Sequence, residues 1–473
     1  FAFFRTTRKI TKAYKRVDDK YLRQRIDDIS DILRQVHKKL QGKEVSTFAN
    51  MKHKVIVVAP NLSPSDTANM HSGHVMAFVT DFGGITSHAT ILARSLGIPA
   101  VLGAKTASSD INPGDLLIVD GGRGIVHINP DEKTIEKYQQ DKKDYQILRE
   151  SLMELKDVPA VTTDGKSIKM YANIEFPDEV DSVHDNGAEG VGLYRSEYHF
   201  LKDDRIPTEE ELYNDYYDVA ERMASKTLII RTFDLGGDKI SHSIQSEPED
   251  NPFLGWRAIR VSLTLKDLFR THLKAILRAS ALKNVKIMFP MISSMHELDD
   301  ALECLEDAKE ELRSEGKAFD PDISIGIMIE IPSAVLIADH LAKKVDFFSI
   351  GTNDLIQYAV AVDRTNDRIS KLFEPFHPGV LKLMKMTIDA GHANGIPVAV
   401  CGEMASDPAA TIMLLGLGID ELSMPPTFVP SIKRLIRSAC FEDAKKDVAE
   451  MLKLESAEQI KRVISDEMDK LDI

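Results

Sequence analysis

The chain has 473 residues, of which 43% are hydrophobic and 28% charged, with a formal net charge of −14; that length allows about three domains of ordinary size, with a sizeable core. The acidic balance argues against nucleic acid or an anionic membrane surface as the main partner, and no apolar run approaches the ~18 residues that a membrane span requires. Its three cysteines, Cys304, Cys401 and Cys440, are far apart and odd in number, which fits a reducing compartment such as the cytoplasm and no disulfide framework.

The sequence opens FAFFRTTRKI, with neither an initiator Met nor a cleavage pattern, and so reads as a piece of a longer protein. Residues 13–43 are charged, with apolar positions at helical spacing, and residues 1–43 are assigned to a remnant N-terminal helical segment. Between 44 and 130 the texture changes. Short β-rich runs (KVIVVAP, VMAFVTD, PAVLG, DLLIVDG and GIVHINP) are broken by Gly, Pro and Asp and by one helix predicted over 87–96. This predicts a compact α/β domain. Residues 131–158 read as a long charged helix with few breakers. A surface helix within one domain would look the same, but the change of texture on both sides favours an interdomain linker over 131–160.

Residues 161–473 alternate strand-like runs with helical stretches. The runs are KMYANI (169–174), GVGLYR (190–195), LIIRTFD (228–234), VKIMFP (285–290), IGIMIE (325–330), VDFFSIG (345–351), VAVCGE (398–403) and IDELSM (419–424). Eight β/α units predict a closed (β/α)8 barrel. A doubly wound open sheet is the competitor, but no Gly-rich dinucleotide fingerprint follows a strand.

Two groups of residues carry chemistry. In GGITSHATILARSLGIPAVLG (83–103), Thr86 or Ser87 can cap a helix whose first turn holds His88. Free backbone N–H groups and the helix dipole there favour an anion, so the position suits a neutral imidazole that receives a phosphoryl group. The plain alternative is a surface histidine near a cap. The second group sits at the C-terminal ends of the predicted strands, where barrel chemistry belongs. It comprises Arg195 and Glu197; Arg231, Asp234, Gly236, Gly237, Asp238 and Lys239; Arg257; Glu330; Asn353 and Asp354; Arg364; and Cys401 with Glu403. Converging guanidinium groups bind a multiply charged anion. Two carboxylates beside an amide suit an oxygen-seeking cation such as Mg²⁺. A strand-end cysteine can donate a proton or act as a nucleophile. Glu330 follows the apolar run GIMI, where a carboxylate is hard to bury without a cation. Together they describe a site for a small phosphorylated carboxylate and a divalent metal.

The motifs GGITSHATILARSLGIPAVLG, GAEGVGLYRSEYHF, RTFDLGGDK, NPFLGWRAIR, MFPMI, SIGTNDLIQY and VCGEMASDP are long and specific, and belong to a resemblance that runs from about residue 20 to the C-terminus. In them the sequence strongly resembles the enzyme I family of the bacterial phosphoenolpyruvate–sugar phosphotransferase system. The resemblance implies an α/β multidomain fold: a swivelling β/α phosphohistidine domain, a helical linker and a C-terminal (β/α)8 TIM-like barrel. It implies that His88 is the phosphorylated histidine, with Thr67 in SPSDTAN orienting its ring. Arg195, Arg231, Arg257, Asn353 and Arg364 would bind phosphoenolpyruvate, Glu330 and Asp354 would bind Mg²⁺, and Cys401 would protonate the enolate to give pyruvate. An HPr-type phosphocarrier protein is the implied acceptor, and a homodimer through the barrel the implied assembly. One departure stands out: the family's helical subdomain, which docks HPr, would have to fit within residues 1–43, so most of it is absent. Pyruvate phosphate dikinase and phosphoenolpyruvate synthase share the histidine motif and the barrel but also carry an ATP-grasp domain, which is not read in this sequence. A fragment of such an enzyme, or a non-catalytic phosphoenolpyruvate or pyruvate sensor, are the alternatives.

Overall fold

The computed structural model describes residues 53–62, 74–82, 93, 97–202, 206–236, 249–364, 366 and 368–471. The chain divides into two compact units, Phe1–Gln146 and Ile147–Ile473. His88, Thr67, Gly237, Asp238, Lys239, the helical stretch 13–43 and the helix expected over 87–96, apart from Ala93, lie outside the described residues.

In the first unit β1 (Val55–Ala59), β2 (Val75–Thr80) and β3 (Ala100–Val101) form a parallel sheet in that order. Their β-branched and aromatic residues supply a small core of Val57, Val75 and Phe78, joined by Leu62 and Ala93. A separate antiparallel hairpin pairs β4 (Leu117–Asp120) with β5 (Ile125–Ile128). All five predicted runs therefore hold a strand. The charged stretch predicted as a helix is one, Glu132–Met153, and none of its residues is buried, as its uniformly polar sequence requires.

The second unit is a closed barrel. A short β6 (Ala160–Val161) runs antiparallel to β7 (Ser167–Ile174). Parallel pairing then continues through β8 (Gly190–Arg195), β9 (Thr227–Arg231), β10 (Val285–Phe289), β11 (Ile325–Ile329), β12 (Phe347–Ile350), β13 (Val398–Val400) and β14 (Glu421–Met424). β14 pairs with β7, placing Glu421 opposite Lys169 and Ser423 opposite Tyr171. That pairing excludes the open sheet. Each predicted run coincides with a strand, β7 and β9 starting two residues and one residue earlier than predicted, and helices occupy every crossover. Several helix starts are written locally. Thr208 and Glu211 cap one helix reciprocally, as do Ser294 with Glu297 and Ser456 with Gln459.

Strand alternation sorts the side chains into two layers. Ile327 and Ile329 of β11 belong to the large core between strands and helices. Met328, between them, joins Leu193, Ile229, Met288, Phe347 and Cys401 in a separate buried cluster drawn from five strands and the residue that follows β13. This second cluster fills the barrel interior and forms an apolar floor beneath the strand ends.

Candidate active site at the strand ends of the barrel

Continuing the inward-facing rows by one step past the apolar floor brings polar residues to the C-terminal rim. Arg195 and Arg231 are the last residues of β8 and β9 and lie opposite each other in register. Glu330 directly follows β11, and Cys401 directly follows β13. Asp354 stands in the first turn of the helix Thr352–Val360, which begins just after β12. Arg257 reaches the rim from the long β9–β10 connection, where it forms an isolated antiparallel bridge with Gly236. A Cβ at Gly236 would lie 2.1 Å from Arg257 Cβ, so only glycine allows that approach.

The buried centre is an interleaved set of two guanidinium groups and four carboxylates. Arg231 Nη2 donates to Glu197 Oε1 at 2.7 Å, and Arg231 Nη1 lies 3.2 Å from Asp234 Oδ2. Asp234 also takes Arg257, with Nη2 at 2.9 and 3.1 Å from its two oxygens and Nε at 3.3 Å. Arg257 Nη2 reaches Asp354 Oδ2 at 3.5 Å. Glu197 Oε1 accepts a further bond from the Asp234 backbone N–H at 2.7 Å, which fixes the loop that carries Asp234. Burial on its own would lower the Arg231 pKa, but Glu197, Asp234 and Glu330 outweigh it and keep the guanidinium charged. Arg257 is held charged in the same way by Asp234 and Asp354.

Glu330 is 1% exposed, and its Oε1 accepts from Met291 N at 2.7 Å. Burial, reinforced by the charges of Asp354 and Asp234, pushes its carboxyl up to about 8 against the opposing pull of Arg231 and Arg257. Asp354 Oδ1 is buried and has no hydrogen-bond partner. A divalent cation would relieve both strains, and the donor set indicates which kind. Among the described residues no three His, Cys, Asp or Glu side chains are grouped to hold a metal. Two carboxylate oxygens fit Mg²⁺, which keeps several waters and takes few protein ligands.

Cys401 is 3% exposed and is itself part of the apolar floor, and burial pushes its thiol up to about 11. It therefore stays protonated at neutral pH. The remaining expected ligands are less gathered. Arg195 is half-exposed at the rim and donates to Glu175 Oε1 at 2.8 Å. Asn353 exchanges hydrogen bonds with Glu403, Nδ2 to Oε1 and backbone N–H to Oδ1, each at 3.2 Å. Arg364 is exposed; its backbone N–H donates to Gln357 Oε1 at 3.2 Å, and its guanidinium is not part of the buried cluster.

Tyr358 belongs to the site and was not singled out from sequence. Its hydroxyl donates to the carbonyl of Phe253 and accepts from Arg257 Nη1 at 3.3 Å. The signal was its spacing from Asp354, four residues on along one helix face. Three non-glycine residues with positive φ also border the site: Ala258 beside Arg257, Met291 against Glu330, and Ala361 at the end of the Asp354 helix. Backbone held in that region costs about 1–3 kcal/mol and gathers where surrounding structure must place a group.

Two family profiles match the chain. The one described as "PEP-utilising enzyme, PEP-binding domain" covers residues 149–441, and "PEP-utilising enzyme, mobile domain" covers residues 51–124. A curated phosphoenolpyruvate-protein phosphotransferase of Bacillus subtilis (strain 168) is 43% identical over 97% of this chain and 81% of its own length. The protein of the same name from Haemophilus influenzae is 44% identical over 95% of this chain and 78% of its own. That of Staphylococcus carnosus (strain TM300) is 44% identical over 90% and 74%.

Proposed function

Because this chain belongs to the family of phosphoenolpyruvate-protein phosphotransferases, we propose that it transfers the phosphoryl group of phosphoenolpyruvate to His88, releases pyruvate and hands the group to an HPr-type phosphocarrier. That is the first step of the sugar phosphotransferase system. One observation carries the reading: two permanently charged arginines at the barrel rim, the buried Arg231 and the partly buried Arg257, held in place by Glu197, Asp234 and Asp354.

The chemistry divides among the chain's own groups. Arg231 and Arg257 bind the phosphate and spread the charge that builds on the moving phosphoryl oxygens, which is the main catalytic device in such transfers. Arg195, Arg364 and Asn353, nearer the surface, bind the remaining substrate oxygens. Glu330 and Asp354 would hold Mg²⁺, which when bound would supply a further positive charge at the site. Neutral His88, its ring oriented by Thr67, takes the phosphoryl group through a ring nitrogen: the P–O bond to the enol oxygen breaks as the P–N bond forms. The Cys401 thiol then gives its proton to the terminal carbon of the enolate, yielding pyruvate. Phosphohistidine and barrel chemistry fall to residues 44–130 and 161–473, joined by the linker 131–160. The active form is a cytoplasmic homodimer joined through its barrels. No helix among the described residues is long and apolar enough to cross a membrane.

Labelled phosphoenolpyruvate tests the reading on the purified chain. Mg²⁺-dependent, acid-labile label on the protein is the expected result; bound phosphoenolpyruvate without label would support a sensor instead. Replacing Cys401 with Ala should cut turnover by about 10²–10⁴-fold while leaving phosphoenolpyruvate affinity close to normal. An unchanged turnover in steady-state pyruvate release would remove Cys401 as the acid.

A further inference from the structure

Cys401 lies one step past the end of the β13–β14 ladder, whose last paired residues are Val400 and Leu422. Its carbonyl accepts a hydrogen bond from a side chain, Asn173 Nδ2, at 2.9 Å. Asn173 stands near the C-terminal end of β7, which is not a neighbour of β13, because β14 runs between them. The amide therefore reaches across β14 to the residue proposed as the acid.

The orientation of that amide is fixed by what surrounds it. A carbonyl oxygen can only accept, so the NH₂ must face Cys401 and the amide oxygen must face the other way. There Oδ1 lies 2.6 Å from the hydroxyl of Ser423, a β14 residue with 0% exposure. Ser423 has one hydrogen and two acceptors in reach, the second being the Ala172 carbonyl at 3.1 Å. The shorter contact takes the hydrogen, and Ser423 then holds Asn173 in the one orientation that serves Cys401.

Cys401 is also held from the opposite side. Its backbone N–H donates to the Ile350 carbonyl of β12 at 3.2 Å, and its Sγ lies 3.7 Å from the same oxygen. Directly after it, a Cβ at Gly402 would lie 1.9 Å from Thr352 Oγ1, so the chain there is pressed against the start of the Asp354 helix. Asn173 supplies the one hold from the β7 side. Proton transfer to carbon needs the donor in contact with the terminal carbon of the enolate, and a misplacement of about 1 Å can cost about a hundredfold in rate.

We propose that Asn173 is a positioning residue for the Cys401 thiol: braced by Ser423, it ties the Cys401 carbonyl to β7 and so fixes where the thiol meets the enolate carbon. This rests on the reading of Cys401 as the proton donor. In that step the S–H bond breaks as the C–H bond of pyruvate forms, and the thiolate recovers its proton from water.

The experiment follows pyruvate formation in a single turnover of the full chain with phosphoenolpyruvate and Mg²⁺, beside calorimetric phosphoenolpyruvate binding. Asn173→Asp keeps the shape and the bond from Ser423 but sets a carboxylate oxygen against the Cys401 carbonyl. It should slow pyruvate formation about ten- to a hundredfold, with Kd within about twofold. Protonating that carboxylate restores a donor, so the ratio of variant to wild-type rate should rise as pH falls. Added to Cys401→Ala, Asn173→Asp should slow the reaction no further, since the thiol that it positions is gone. Should Asn173→Asp not fold, Ser423→Ala, which frees the amide to turn, is read in the same way, alone and with Cys401→Ala. A wild-type rate in Asn173→Asp, or slowing that multiplies with that of Cys401→Ala, would overturn the inference and leave Asn173 a packing feature. Cys401→Ala alone separates the two levels. If it leaves the rate unchanged, the reading of Cys401 fails; if it slows the reaction while Asn173→Asp does not, only the role of Asn173 fails.

Discussion

His88→Ala is expected to abolish labelling of the chain by phosphoenolpyruvate altogether while leaving phosphoenolpyruvate binding within about twofold of normal. The argument is one of separation. The groups proposed to bind substrate, Arg231, Arg257, Glu330 and Asp354, all belong to the second unit, Ile147–Ile473. His88 lies in the first unit by sequence. On the proposed reading it contributes the nucleophile and no affinity. Calorimetry with phosphoenolpyruvate and Mg²⁺, run beside the labelling reaction, reads both quantities from one preparation. Loss of binding in the variant would mean that His88 is part of the binding surface, and the division of labour between the units would fall. Residual acid-labile label would point to a different acceptor histidine.

The second large effect is expected at Arg231, where function and stability fail together. Arg231→Met keeps the side-chain volume and removes the charge. Glu197 and Asp234 then lose their shared cation inside the protein. Breaking a buried pair by deleting one partner costs about 3–5 kcal/mol. The phosphoryl group also loses a charged ligand in a water-poor site, which should reduce kcat/KM at least about a hundredfold. Adding Glu197→Gln to Arg231→Met discriminates between the two losses. It removes one of the uncompensated charges, so Tm should recover in part while kcat/KM stays low. Recovery of both would show that Arg231 serves the fold and not the substrate. No fall in Tm on Arg231→Met alone would contradict the pairing with Glu197 and Asp234.

Much of this barrel could be read in advance because its strands are short, apolar and separated by helices with written starts, such as Thr208 with Glu211 and Ser294 with Glu297. The rim was legible for a related reason. A carboxylate directly after GIMI, or an arginine ending GVGLYR, is out of place in a buried strand unless the strand end is a site. What sequence did not disclose is who pairs with whom. Glu197 and Asp234 were visible as rim residues, but their work as braces for Arg231 and Arg257 depends on a bridge between chain segments that only the folded loop supplies. Arg364 shows the opposite case: its motif marked it as a ligand, yet its side chain remains outside the buried cluster, because it lies on an exposed stretch past the Asp354 helix.

The pairing of β14 with β7 has a consequence for how the molecule is made. Lys169 and Glu421, 252 positions apart in the chain, form an ion pair. During synthesis β7 emerges early, and its outer neighbour does not exist until nearly the whole barrel has been translated. Through that interval one edge of the growing sheet offers unpaired backbone donors and acceptors to any strand that reaches it. Such distant contacts reward the chain only at the end, after a large loop-closure entropy has been met. The nascent chain therefore passes through a long aggregation-prone stage. The short antiparallel β6, which emerges just before β7 and pairs with Ala160 opposite Ile168, covers part of an edge of β7 during that wait.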